Sequence, residues 1–240
     1  MSSIKLIFFT AMALAFSTQQ TLSAANLKQT KESYTAEVTK KYSYHYLKYL
    51  PEGYDGKKPF PLLLFLHGAG ERGSDLEKVT THGPPKLIKQ GKQFPFIVIS
   101  PQCKKNSWWD ANALDAMLDQ IIKTHAVDES RVYCTGLSMG GFGTWSLGGI
   151  NPDRFAAFAP ICGGGRWSDA FQMWKKPVWV FHGDADKVVP LEESERMVKA
   201  LRQRGGKPKF TIYKGVNHDS WTETYNNPKL YQWFLSHKKN

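Results

Sequence analysis

The segment Thr135-Gly136-Leu137-Ser138-Met139-Gly140-Gly141 places a serine between two glycines at the spacing Gly-x-Ser-x-Gly. The β-branched and aromatic run Arg131-Val132-Tyr133-Cys134 precedes it and reads as a buried strand. The small-residue stretch from Gly141 to Gly149 follows it and reads as a helix. Strand, Gly-x-Ser-x-Gly, helix is the setting of a nucleophile elbow. In such a turn the serine is held in a strained backbone conformation, and there is no room for side chains two residues to either side. Gly136 and Gly140 occupy those two positions. The turn lifts the Ser138 hydroxyl above the sheet, at a helix N-terminus. A serine hydroxyl is a poor nucleophile near neutral pH, so it needs a base, and the base needs an orienting acid.

Around an elbow of this kind the chain order is Ser, then Asp or Glu, then His. Seven histidines compete for the base. His45 falls inside a strand, His125 at a helix end and His237 in the tail. His67 and His182 end strands but precede glycine, where they shape turns by hydrogen bonding. His82 has no acid placed for it. His218 follows the last strand and lies downstream of an acid, which makes it the candidate base. For the acid, Asp184 and Asp186 both follow the strand over 177–181. Asp186 is favoured because it sits further into the loop, before Val188-Val189-Pro190, where it can reach towards His218. Asp184 is expected to bond loop amides, and Asp219, adjacent to His218, to point away.

A tetrahedral intermediate needs an oxyanion hole. One donor is expected from the backbone N–H of Met139, the residue after the nucleophile. The other is expected from Ala69 in the loop His67-Gly68-Ala69-Gly70, whose glycines permit a close backbone approach. Trp108, Trp109 and Trp221 are candidate substrate contacts, as a hydrophobic or sugar-stacking platform. Trp167 and Trp174 lie near the same loops. Glu71 and Arg72 are expected either to meet a charged substrate group or to pair with each other. The pattern calls for no metal.

The elements that position these residues alternate between the two periods of secondary structure. Tyr34–Val38 and Tyr42–Leu50 read as strands and are expected to pair antiparallel at the edge of the sheet. Apolar runs at 61–66, 96–100, 155–161 and 177–181 read as strands covered on both faces. Leu114, Met117, Leu118 and Ile121 recur at helical spacing over 111–124. A helix opens at Pro190, and Phe210–Tyr213 forms the last strand before a C-terminal helix. A mostly parallel twisted sheet with helices on both faces follows, with function gathered at the strands' carboxyl ends. The link between the strands ending at Ile161 and Phe181 is short, leaving no room for a cap domain.

The chain has 240 residues, which suits one sizeable core. Residues 1–25 carry a basic start at Lys5, an apolar run from Leu6 to Phe16, and small residues at Ser23-Ala24-Ala25. They read as a signal peptide, leaving 26–240 as a single catalytic domain, secreted or periplasmic, with no integral membrane segment. The net charge of +11 arrives without any nucleic-acid-binding pattern, so nucleic acid is not an expected partner. Three cysteines, Cys103, Cys134 and Cys162, exclude full intrachain pairing. Cys134 reads as a buried hydrophobe, and a Cys103–Cys162 bridge between strands flanking the elbow is left open.

Four motifs together resemble the α/β-hydrolase superfamily: His67-Gly68-Ala69-Gly70-Glu71-Arg72-Gly73, Gly136-Leu137-Ser138-Met139-Gly140-Gly141, His182-Gly183-Asp184-Ala185-Asp186 with Val189-Pro190, and His218-Asp219-Ser220-Trp221. More narrowly the chain is similar to secreted bacterial esterases and peptidases of prolyl-oligopeptidase type, and to dienelactone-hydrolase-like and polyhydroxybutyrate-depolymerase-like enzymes. The resemblance implies the α/β-hydrolase fold, a triad of Ser138, Asp186 and His218, no cofactor, and a small-molecule or polymer-linked ester as substrate. Two departures bear on substrate. The propeller domain of prolyl-oligopeptidase relatives is absent, and the nucleophile is serine where dienelactone hydrolases carry cysteine. The expected activity is therefore that of a serine carboxylesterase acting on acyl or feruloyl esters of polysaccharide, with a serine peptidase as the alternative and a non-catalytic binding module as a third reading.

Overall fold

A computed structural model describes residues 31–37 and 39–239. The expected signal peptide, residues 1–25, lies outside the described residues. The chain divides into two units, Met1–Lys40 and Lys41–Asn240. In the first unit the described residues carry no helix or strand. The strand expected over 34–38 is therefore not formed across 34–37, and Val38 lies outside the described residues. Without a neighbour to complete its ladder an isolated strand has little to stabilise it.

The second unit contains a seven-stranded sheet built from β1 (His45–Tyr49), β2 (Phe60–Leu66), β3 (Ile97–Gln102), β4 (Val127–Leu137), β5 (Ala157–Ile161), β6 (Trp179–Gly183) and β7 (Lys209–Tyr213), in the spatial order β1-β3-β2-β4-β5-β6-β7. Only β1 runs antiparallel, and its partner is β3, with Leu47 opposite Ser100. The edge pair expected between two N-terminal strands is thus replaced by a single short strand added to the sheet's own edge. All other neighbours are parallel.

Strand β2 shows how the sequence builds the layers. Leu62 to Leu66 are all 0% exposed. Because side chains alternate across a strand, Leu62, Leu64 and Leu66 enter one core, and Leu63 and Phe65 enter the other. The first core is closed by α2 (Ala111–Thr124), α3 (Met139–Ile150) and α5 (Leu191–Gln203), through Leu114, Leu118, Trp145 and Met197. The second is closed by α6 (Trp221–Asn226) and α7 (Pro228–Leu235), through Tyr225, Leu230 and Phe234, with Leu87 of α1 (Gly83–Lys89) packed against it. The expected single C-terminal helix is split at Asn227-Pro228. Proline has no N–H to continue the ladder, and the Asn227 side chain accepts from Lys229 N–H at 3.0 Å to cap the new helix. The link between β5 and β6 holds one short helix, α4 (Trp167–Gln172), where only a connection was expected.

All three cysteines are free and buried. Cys103 follows β3 and Cys162 follows β5, and β2 and β4 lie between those strands in the sheet. The bridge considered from sequence assumed both strands flank β4, and only β5 does. No helix among the described residues is long and apolar enough to cross a membrane.

Candidate active site

The site begins with backbone strain. Ser138, between β4 and α3, has φ +51° and ψ −117°, a conformation that L-residues rarely adopt. Its N–H donates to Ile161 O at 2.9 Å and its carbonyl accepts from Phe142 N–H at 3.1 Å, which fix the turn from both sides. The flanking glycines are required sterically. A β-carbon on Gly136 would stand 2.3 Å from Gly140 O, and one on Gly140 would stand 1.9 Å from Leu66 O.

The structure brings Ser138, His218 and Asp186 together. His218 Nε2 lies 2.9 Å from Ser138 Oγ, and His218 Nδ1 lies 2.7 Å from Asp186 Oδ2. A carboxylate only accepts, so Nδ1 carries the proton and Nε2 is left to accept from the serine hydroxyl. Asp186 is fixed by its other oxygen, which accepts from Val188 N–H at 2.8 Å and Val189 N–H at 3.0 Å. Burial alone would raise the Asp186 pKa, but the hydrogen bonds from His218, Val189 and Val188 outweigh it and hold the carboxyl below its ordinary value. The carboxylate is thus kept ionised with its side chain 0% exposed, while the His218 side chain is 17% exposed. Asn217 ties the two loops: its Oδ1 accepts from His218 N–H at 2.9 Å and from Lys187 N–H at 3.2 Å.

The rival acids do other work. Asp184 Oδ1 accepts from Gly215 N–H at 2.6 Å, and Asp219 caps α6 by accepting from Thr222 N–H at 3.0 Å. His182 contributes more than a turn. Its Nε2 is 2.9 Å from Val189 O and 3.2 Å from Asp186 Oδ2, while Ser194 Oγ lies 2.7 Å from Nδ1. Nε2 faces two acceptors and so carries a proton, while Nδ1 meets the Ser194 hydroxyl, which itself donates to Gly163 O at 3.1 Å. The acid of the triad therefore rests on a buried imidazole. The sequence signal was the pair His182-Gly183 at the end of a strand, four residues before Asp186, but nothing local shows that the loop folds back onto it.

Met139 and Ala69 each occupy the first position of a helical turn, α3 and the short 3-10 turn Ala69–Glu71. The first N–H of such a turn has no intrahelical acceptor. The Ala69 loop is brought close to the nucleophile: a β-carbon on Gly68 would lie 3.7 Å from Ser138 Cβ. His67 anchors this loop. Its Nδ1–H donates to Gly68 O at 2.6 Å, its Nε2 accepts from Cys103 N–H at 3.0 Å, and its carbonyl accepts from Trp109 Nε1–H at 3.1 Å. Burial drives its pKa down to about 4, so the ring is neutral.

The tryptophans separate into different roles. Trp108 is 63% exposed. Trp109 is 8% exposed and packs in the core against Gly143 and Leu66, so the expected substrate contact is instead a structural one. Trp221 lies edge-on to His218, with ring centroids 5.1 Å apart. Glu71 is neither open to solvent nor paired with Arg72. Its side chain is 9% exposed, 3.8 Å from His67 Nδ1 and 3.8 Å from His82 Nε2, and its Oε2 has no hydrogen-bond partner. Arg72 instead donates to Ala69 O at 2.9 Å and Ser107 O at 3.3 Å. His82, expected to lack an acid, thus faces Glu71. Cys162 Sγ, Asp186 and His218 present ligand-type atoms within 4.8 Å of one another, yet Asp186 and His218 are already committed to each other.

A parallel sheet with one antiparallel edge, a strained serine at the β4–α3 turn, and acid and base from the loops after β6 and β7 define the α/β-hydrolase class. The prolyl oligopeptidase family matches residues 165–240. The chain is 34% identical to a thermostable esterase of known structure, with a TM-score of 0.70, over 80% of this chain and 59% of that one. It is 28% identical to the bifunctional acetylxylan esterase/xylanase XynS20E of Neocallimastix patriciarum, over 60% of this chain and 22% of the relative. It is 26% identical to feruloyl esterase C of Emericella nidulans, over 67% of this chain and 62% of the relative. The chain therefore spans less than two thirds of the length of each of these proteins.

Proposed function

We propose that this protein is a serine carboxylesterase, secreted or periplasmic, that hydrolyses small-molecule or polymer-linked esters, with acyl or feruloyl groups on polysaccharide as the natural class. The observation that carries this reading is the alignment of Ser138 Oγ, His218 Nε2 and Nδ1, and Asp186 Oδ2, with contacts of 2.9 and 2.7 Å. In the mechanism, His218 Nε2 takes the Ser138 proton as Oγ attacks the acyl carbon. Asp186 stabilises the imidazolium that forms. The Met139 and Ala69 N–H groups receive the oxyanion, each such donor being worth roughly 3 kcal/mol of barrier. The imidazolium then returns its proton to the leaving alkoxide, and the acyl-enzyme is left on Ser138. Water, deprotonated by the same His218 Nε2, releases the carboxylic acid and restores the serine.

The similarity to acetylxylan and feruloyl esterases supports the ester class, and the absence of any large insertion between β5 and β6 fits a site open to bulky substrates. Neither a cofactor nor a nucleic-acid partner enters the scheme. Short-chain p-nitrophenyl esters should be hydrolysed, and a fluorophosphonate should label Ser138 in the wild type but not in Ser138→Ala. Absence of activity at every acyl length would defeat the proposal. A second reading, a peptidase with the same triad, rests on the prolyl oligopeptidase match over 165–240. Amide hydrolysis at rates equal to or above the ester rates would favour it.

A further inference from the structure

Beside the triad lies a cavity of about 180 Å³ whose lining includes His82, Lys86, Gln90, Trp221, Tyr225 and Asn226. We infer that this cavity is a subsite for one sugar ring of the leaving alcohol. The inference rests on the esterase reading above and adds where the alcohol is held and what its chemistry is.

Two of the lining residues border the reaction site. Trp221 stands perpendicular to His218, with ring centroids 5.1 Å apart, and its ring also meets that of His82 at 5.3 Å. His82 in turn faces Glu71, whose Oε2 would lie 3.2 Å from a β-carbon on Gly68, a point only 3.7 Å from Ser138 Cβ. The cavity is therefore one residue removed from the base on one side and from the oxyanion loop on the other. Catalytic direction then fixes which half of the ester it faces. The imidazole that takes the serine proton must return it to the leaving oxygen. The leaving alcohol thus lies on the histidine side of Ser138, the side that Trp221 borders.

Size and lining fix the chemistry. A cavity of roughly 150 Å³ accommodates one six-membered ring, so 180 Å³ takes a single pyranose with little to spare. The Trp221 indole supplies surface for the C–H face of a sugar over the buried Tyr225, while His82, Lys86, Gln90 and Asn226 supply donors and acceptors around it. A cinnamoyl group, with one phenol on an otherwise apolar ring, would leave most of those polar groups unpaired, and leaving them so is costly.

Gln90 and Asn226 are exposed on the cavity rim, so the double variant Gln90→Ala/Asn226→Ala tests the subsite without disturbing the core. The readout is the ratio of kcat/KM on acetylated xylotetraose to kcat/KM on p-nitrophenyl acetate, which has no sugar. The ratio should fall about fivefold or more, through KM, as expected for the loss of two neutral hydrogen bonds. Xylotriose, which carries no ester, should inhibit p-nitrophenyl acetate hydrolysis competitively in the wild type and less well in the variant. A ratio unchanged within twofold, or wild-type hydrolysis of p-nitrophenyl acetate that is indifferent to xylotriose, would overturn the subsite and leave the esterase reading standing. Failure to hydrolyse either ester would remove the esterase reading, and the subsite with it.

Discussion

The substitution Gly140→Ala tests whether close backbone packing, and not the triad alone, sets the activity. A β-carbon at this position would sit 1.9 Å from Leu66 O, 2.5 Å from Leu66 C and 2.8 Å from His67 O. All three are backbone atoms, so no side-chain rotation relieves the clash. An ordinary contact begins near 3.4 Å, so the N-terminus of α3 must retreat from the end of β2 by about 1.5 Å, the kind of overpacking shift that costs roughly 1–3 kcal/mol. Alanine recovers up to about 1 kcal/mol of helix propensity. With that recovery the net loss is up to about 2 kcal/mol, a Tm drop of up to roughly 8 °C in a chain of this size. Activity should suffer more. The same retreat separates Met139 N–H on α3 from Ala69 N–H on the loop after β2, and a misplacement of about 1 Å can cost roughly 10²-fold. The expected result is a folded protein with kcat/KM for p-nitrophenyl acetate down by about 10²-fold or more. Gly70→Ala is the folding control, because a β-carbon there meets nothing within 4 Å. A Gly140→Ala protein with wild-type Tm and activity within about threefold would refute the reasoning.

Asp186→Asn should retain the fold and lower kcat by roughly 10⁴-fold, because an amide does not enforce the Nδ1–H tautomer of His218; steady-state kinetics with circular dichroism checks this, and a loss below tenfold would contradict it. The His67 pKa is depressed from 6.5 to about 4 in the folded chain, so the unfolded chain binds more protons between those values. The associated stability is present above pH 6.5 and declines as pH falls towards 4. Lowering the pH from 7 to 5 should therefore cost about 2 kcal/mol through this residue, seen as a smaller pH dependence of urea unfolding in His67→Asn. The three buried thiols should be silent to Ellman's reagent in the native protein and give three equivalents after denaturation, and a non-reducing gel should show no intrachain bridge. His182→Phe removes a buried ring that contacts Asp186 Oδ2 at 3.2 Å. It should lower kcat by roughly tenfold or more while shifting KM little, as expected of a group that positions the acid and does not touch substrate.

These predictions divide along the line between what the sequence displayed and what it did not. The elbow was legible because a steric requirement leaves a residue-type record: only glycine tolerates backbone oxygens at the 1.9 and 2.3 Å a β-carbon would meet at Gly140 and Gly136. The buried strands were legible for the same kind of reason, since two covered faces require an unbroken apolar run such as Leu62 to Leu66. His218 and Asp186 followed from chain order once the strands were placed. What escaped were contacts created by loops folding back. His182 under Asp186, His82 against Glu71, and Trp109 bonded through Nε1 to His67 O all join residues whose local sequence would look the same without the contact. Of the strand expected over Tyr34–Val38, residues 34–37 form none, because residue types that suit a strand do not by themselves supply a neighbour to bond. The two kinds of residue should therefore fail differently under mutation. Residues fixed by steric record, such as Gly140, should lose stability and rate together, because the backbone itself must move. Residues whose side chain supports a loop, such as His182 at the end of β6, should lose rate with little loss of fold, because the backbone pairing of β6 with β7 does not need the imidazole. A His182→Phe protein that unfolds as readily as Gly140→Ala would show that the loop after β6 is part of the core's stability and not only a support for the acid.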